Sequence, residues 1–153
     1  MRCLQPNSSE VSVSLSAQSI TYHTASYPIS SSKYGVGSES GSNKTPLGRF
    51  QVSEKFGSGD PPFTIFKARK AIGLWAPDSQ DLEEDRILSR ILRLSGLNPS
   101  NHNTYGRYIY IHGTNNEQGI GKPHSIGCIR MKNIDIIKLY NSVPLGSIVQ
   151  IYN

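Results

Sequence analysis

His112 and Cys128 are the pair of side chains in this sequence whose types support covalent chemistry together. A free thiol, with a reference pKa of about 8.5, is mostly protonated at neutral pH. An imidazole within hydrogen-bond reach takes that proton, and the thiolate then attacks a carbonyl carbon. Gly127, directly before the cysteine, lets the backbone turn tightly and leaves room for a substrate to approach. The N–H groups of such a turn are candidate oxyanion donors for a tetrahedral intermediate.

A metal centre is the competing use of these residues. His112, His124 and Cys128, with His102 as a fourth, supply the right ligand types. Their spacings match no compact zinc pattern, and Cys128 has no cysteine partner beside it. Cys3 and Cys128 do not form a disulfide framework either, because a bridge would block the nucleophile. The sequence therefore predicts thiol chemistry with no metal and no cofactor.

The elements that must position the pair follow from periodicity. Val11 to Leu15, Gln18 to His23 and Ser26 to Ile29 alternate and predict an opening β-meander. Ser30 to Lys44, rich in Gly and Ser, reads as a loop facing the substrate. Thr45-Pro46-Leu47-Gly48 is a turn that launches a strand over Arg49 to Glu54, and Phe63 to Ala68 is a further candidate strand. Trp75 is a packing residue. Asp81 to Leu94 predicts an amphipathic helix: Asp81, Glu83, Glu84 and Asp85 crowd its start, Arg86, Arg90 and Arg93 lie toward its end, and Gly96 stops it. Glu83 and Glu84 diverge on such a helix and do not form an acid/base pair. Arg107 to Ile111 alternates and carries His112 at its end. A short helix over 133–142 is capped by Asn133, and Ser147 to Tyr152 is a last strand expected beside the catalytic strand.

The 153 residues fit one domain with one core. Residues 1–10 read as a frayed terminus and 11–153 as the domain. The net charge of +5 favours an anionic neighbour. The basic residues are scattered, with Lys67, Arg69 and Lys70 the nearest to a stripe, so nucleic acid is not the expected partner. No stretch is long and apolar enough to span a membrane, and Met1 to Glu10 lacks an export signal. The reading is a cytoplasmic protein, or one of the cell envelope if a leader was removed.

His112-Gly113-Thr114, Ile120-Gly121 and Ser125-Ile126-Gly127-Cys128-Ile129-Arg130-Met131, with the earlier Thr45-Pro46-Leu47-Gly48-Arg49-Phe50, resemble the signature of the L,D-transpeptidase (YkuD-type) catalytic domain. The resemblance runs from about Val11 to Ile151. It implies a mainly β, α+β domain of β-sandwich or mixed-sheet type, with the helices near 81–95 and 133–142 as its α part. It implies Cys128 as nucleophile and His112 as base, with Gly113, Gly127 and Ser125 as orienting or oxyanion groups. Arg130, Thr114 and Ile126 are the implied substrate-binding positions. Arg130 suits a substrate carboxylate or, equally, a structural salt bridge. The sequence departs from the family at Ile126, often His and sometimes Lys there, which bears on substrate preference.

The implied partner is a peptidoglycan stem tetrapeptide or muropeptide, cut between a diamino acid and the terminal D-Ala through a thioester. A carbapenem is the implied covalent inhibitor. An amine acceptor makes the protein a transpeptidase, and water makes it an L,D-carboxypeptidase of muropeptide recycling. A muropeptide-binding domain without turnover is the reading from a different class.

Overall fold

The alternating apolar residues at the start of the chain become three antiparallel strands: β1 (Val11–Ser14), β2 (Ser19–Tyr22) and β3 (Ala25–Ser30). The computed structural model describes residues 10–76 and 85–153. The frayed terminus expected before residue 10 thus lies outside the described residues, although Glu10 itself is held by Arg49 at 3.0 Å. Further strands are β4 (Gly48–Phe56), β5 (Thr64–Lys67), β6 (Lys70–Leu74), β7 (Ile87–Gly96), β8 (Tyr110–Thr114), β9 (Ile129–Met131) and β10 (Ile148–Tyr152). One α-helix, α1 (Asn133–Ser142), is present among the described residues.

These strands form one mixed sheet in the order β4-β10-β1-β2-β3-β9-β8-β7-β5-β6, and β4 also pairs with β7. That extra pairing joins the two ends of an eight-strand run, so the ladder closes on itself and hides its edges. The β5–β6 hairpin hangs outside the ring. Ala68 and Arg69, both at positive φ (47° and 65°), form its tip. The mainly β, mixed-sheet expectation holds, and so does the helix over 133–142. Lys132 is its N-cap, and Asn133 is its first residue.

Two expectations fail. The amphipathic helix expected near 81–95 is not found among the described residues: 77–84 lie outside them, and Ile87–Gly96 form β7. β7 is paired with β8 along one edge and with β4 and β5 along the other, and every residue from Leu88 to Leu94 is buried, Ser89, Arg90 and Arg93 included. A register shift between Leu88 and Ile91 spaces its apolar residues like a helical stripe. Arg90 and Arg93, expected toward the end of a helix, are buried and partnered. Arg93 bonds Glu54 and the Tyr105 carbonyl, and Arg90 bonds the Ser89 carbonyl. The last strand is also misplaced by sequence. β10 lies between β1, to which it runs parallel, and β4, remote from β8.

The larger core gathers Val11, Ile20, Phe50, Leu92, Leu94, Ile111, Ile129 and Met131 with Ile136 and Leu139 of α1. A smaller cluster of Phe66, Ile91 and Tyr110, with Cys128 packed against it, occupies the opposite face of β7 and β8. The loop between β3 and β4 is pinned. Arg107 donates to the Lys44 carbonyl at 2.7 Å, and Asn103 to the Ser38 carbonyl at 2.7 Å.

Candidate active site

Strand parity brings the reactive residues together. β8 and β9 run parallel, with Ile111 opposite Ile129 and His112 opposite Arg130. Successive side chains alternate between faces, so Ile109, Ile111, Ile129 and Met131 enter the larger core. Tyr110, His112, Cys128 and Arg130 therefore share the other face.

Cys128 is half-buried, and its Sγ lies against the backbone of the segment entering β8. The Tyr110 N–H donates to Sγ at 3.3 Å, and the thiol donates to the Tyr108 carbonyl at 3.3 Å. Tyr108 adopts φ 57°, which turns that carbonyl toward the thiol side of the strand entry. Burial pushes the Cys128 thiol up to about 11, the Asp85 carboxylate adding to the rise; the Tyr110 N–H and the charges of Arg130 and Arg107 oppose it. The resting group is a neutral thiol.

The turn before Cys128 is built by hydroxyls. Ser125 Oγ donates to the Cys128 carbonyl at 2.6 Å and accepts the Gly127 N–H at 3.2 Å. Gly127 stands at φ 132°, a conformation that other residues adopt only with strain. Thr45 Oγ1 donates to the Gly127 carbonyl at 3.0 Å and accepts the Ser32 N–H at 3.0 Å. The Gly127 amide, read from sequence as an oxyanion donor, is thus engaged by Ser125 here.

His112 is buried. Its Nδ1 lies 2.6 Å from the Gly113 carbonyl, which can only accept, so Nδ1 carries the proton and Nε2 keeps its lone pair. Burial holds the ring below its ordinary range; the Gly113 bond and Asp85 push the other way, and Arg130 adds to the lowering. His112 is therefore neutral at neutral pH, the form a base requires. Gly113 must be glycine, because a Cβ there would lie 2.5 Å from Asn133 Oδ1 and 2.6 Å from the Leu88 carbonyl.

Arg130 is buried, and its Nη2 meets Asp85 Oδ2 at 2.5 Å, so the salt-bridge reading of Arg130 is realised. Thr114 is fully buried. Its Oγ1 accepts the Asn116 N–H at 3.1 Å and its carbonyl accepts from Asn133 at 2.8 Å, so it shapes the loop after β8 and lines no open surface. Ile126 is 55% exposed at the mouth of the turn, where a ligand would meet it. His102 is bound to the Pro99 carbonyl, and among the described residues no three metal-ligating side chains converge. Sequence reasoning missed Thr45, Tyr108, Tyr110, Asp85 and Arg107 as parts of the site. The alternation of Tyr108 and Tyr110 with His112 was the available signal for the tyrosines; Asp85 left none.

The model of the L,D-transpeptidase catalytic domain (YkuD) matches residues 8–151. The chain belongs to this family. The probable L,D-transpeptidase YcfS of Escherichia coli (strain K12) is 33% identical over 130 residues, covering 83% of this chain and 37% of that protein. An L,D-transpeptidase from Xylanimonas cellulosilytica superposes with a TM-score of 0.60 at 19% identity, covering 99% of this chain and 65% of that one. An L,D-transpeptidase solved in complex with imipenem gives a TM-score of 0.57 at 18% identity, over 93% of this chain and 57% of that one. These structures share the fold. The chain spans between 15% and 37% of the length of the named L,D-transpeptidases YbiS, ErfK/SrfK, YqjB, YkuD and YcfS that it matches.

Proposed function

We propose that the domain is a cysteine acyltransferase that cleaves the bond between the diamino acid and terminal D-Ala of a peptidoglycan stem tetrapeptide and passes the acyl group to an amine. The observation that carries this reading is the common face of His112 and Cys128, with Nδ1 tied to Gly113 and Nε2 left basic. Because the thiol is neutral at rest, His112 acts as a general base as substrate enters, and no thiolate–imidazolium pair is stored beforehand.

Cys128 first leaves its bond to the Tyr108 carbonyl and gives its proton to His112. Sγ attacks the carbonyl carbon, the imidazolium protonates the departing amine, and a thioester remains. An incoming amine then attacks the thioester carbonyl carbon, giving its proton to His112, and the displaced Sγ takes that proton back, which restores the neutral pair. Ile126, apolar and exposed beside the turn, offers contact surface to the peptide and no charge. The imipenem complex of a structural neighbour supports acylation of Cys128 by a carbapenem, whose strained lactam carbonyl presents the same electrophile.

The test is mass spectrometry of a disaccharide tetrapeptide incubated with the protein and with Cys128→Ala. A cross-linked dimer made only by the unaltered protein is the expected result. Loss of the terminal residue without a dimer makes water the acceptor and the protein an L,D-carboxypeptidase. No product together with no imipenem adduct overturns the enzymatic reading and leaves a muropeptide-binding domain.

A further inference from the structure

Both hydrogen bonds of the Cys128 sulfur go to one short stretch of backbone, the Tyr108 carbonyl and the Tyr110 N–H. The side chains of these same two tyrosines are engaged by a single cation, Arg69 at the tip of the β5–β6 hairpin. Its guanidinium lies over the Tyr108 ring, 5.5 Å from the centroid, and its Nη1 donates to the Tyr110 hydroxyl at 3.0 Å. The tip itself is a tight two-residue turn: Lys67 pairs with Lys70 across Ala68 and Arg69, both at positive φ, which suits the twist of a hairpin.

The two sulfur contacts differ in what holds them. Tyr110 belongs to β8 and pairs with Arg93 of β7, so the ladder fixes its amide. Tyr108 lies ahead of the strand, exposed, at φ 57°. That conformation is strained for a bulky residue and persists only where the surroundings impose it. The Tyr108 N–H is spent on the Tyr105 carbonyl at 3.1 Å. Arg93 donates to that same carbonyl at 3.0 Å and lies over the Tyr108 ring, 5.1 Å from the centroid. Arg69 supplies the second cation on the ring, and it comes from a different pair of strands.

Resting on the reading of Cys128 as nucleophile, we infer that Arg69 is a positioning residue: it clamps Tyr108 so that the Tyr108 carbonyl holds the thiol proton until substrate enters. A hydrogen bond to the neutral form of a group disfavours its charged form. Without Arg69, Tyr108 relaxes toward negative φ and its carbonyl turns away from Sγ. The Tyr110 N–H stays in place, and it favours the thiolate. Loss of a nearby cation acts in the opposite sense, since a cation favours the thiolate. Release of the clamp and simple loss of charge are thus told apart by sign. The other groups facing Cys128 are untouched by the substitution: Asp85 before β7, Arg107 before β8, His112 on β8 and Arg130 on β9.

The test is iodoacetamide alkylation of Cys128, read by mass spectrometry of its peptide from about pH 7 to 11. Arg69→Ala is expected to raise the rate at about pH 7.5 roughly threefold to tenfold and to bring the bend of the log rate below about 11. Arg69→Lys, whose ammonium still reaches the ring, lies between Arg69→Ala and the unaltered protein. In a Tyr108→Gly background the same Arg69→Ala change alters the rate less than about twofold, because the ring it acts through is gone. A rate unchanged or slowed by Arg69→Ala overturns the clamp. So does a faster rate whose bend has not moved, which reports access alone, and so does an Arg69→Ala effect of equal size with and without the Tyr108 ring. Alkylation needs no turnover. A protein that passes this test but neither cleaves nor cross-links the disaccharide tetrapeptide loses the acyltransfer reading and keeps the clamp.

Discussion

Cys128 and His112 are both held in their uncharged forms, and this sets how the site responds to pH. With the thiol at about 11, alkylation of Cys128 by iodoacetamide should climb close to tenfold per pH unit from about pH 7 to pH 10. A rate already level near pH 7 would reveal a stored thiolate and contradict the neutral pair. His112 is held below 6.5, chiefly by burial, so as pH falls the unfolded chain binds a proton before the folded one does. The stability contributed by a neutral His112 is complete above about 6.5 and is lost as pH drops through that value toward the lower folded one. Urea midpoints compared at about pH 7.5 and 5.5 should show a smaller acid loss in His112→Gln than in the unaltered protein. Thr45 gives a third check. Thr45→Val keeps the shape but strands the Gly127 carbonyl and the Ser32 N–H, at a cost of about 1–3 kcal/mol in urea denaturation and with a lower kcat.

At the level of elements, β8 and the β8–β9 register do the positioning, and α1 locks them. Asn133 donates to the Thr114 carbonyl and to Glu117, and accepts from Ser89 at 2.7 Å, tying helix, strand end and β7 bulge around Gly113. Gly113→Ala drives a Cβ into this knot and should cost on the order of 1–3 kcal/mol while displacing the carbonyl that orients His112. Activity falling no further than stability predicts would show that the carbonyl had not moved. The candidate site was legible where its parts are local, in the strand carrying His112 and the turn at Gly127; the tyrosines carried a local signal, their alternation with His112, that went unread. β7 was not. Its identity comes from neighbours on both sides, its bulge counterfeits a 3.6-residue period, and its buried Arg93 finds partners outside the strand, in Glu54 and the Tyr105 carbonyl. Asp85 escaped for the same reason, its meaning lying in Arg130.

For the molecule as a whole, the closed ladder separates a ring from an appendage. The β5–β6 hairpin joins β7 through only Ile65–Leu88 and Phe66–Ile87, whereas β4 and β8 seal β7 along much of its length. Trp75, the one tryptophan, follows β6 and therefore reports on the appendage. Its fluorescence should change at a lower urea concentration than the far-UV circular dichroism of the ring, and coincident transitions would show the hairpin to be part of the cooperative unit. The parallel pairing of β8 and β9 has its own consequence. Two parallel neighbours cannot be joined by a tight turn, so the chain from Asn115 to Gly127 must leave the sheet and come back. What sets His112 and Cys128 on one face is the ladder between the strands and not the length of that excursion. The number of residues separating the two is thus open to change between fixed points: the stretch from Glu117, which bonds Asn133, to Ser125, which builds the turn before Cys128, can vary in length while the strands keep the face that His112 and Cys128 share.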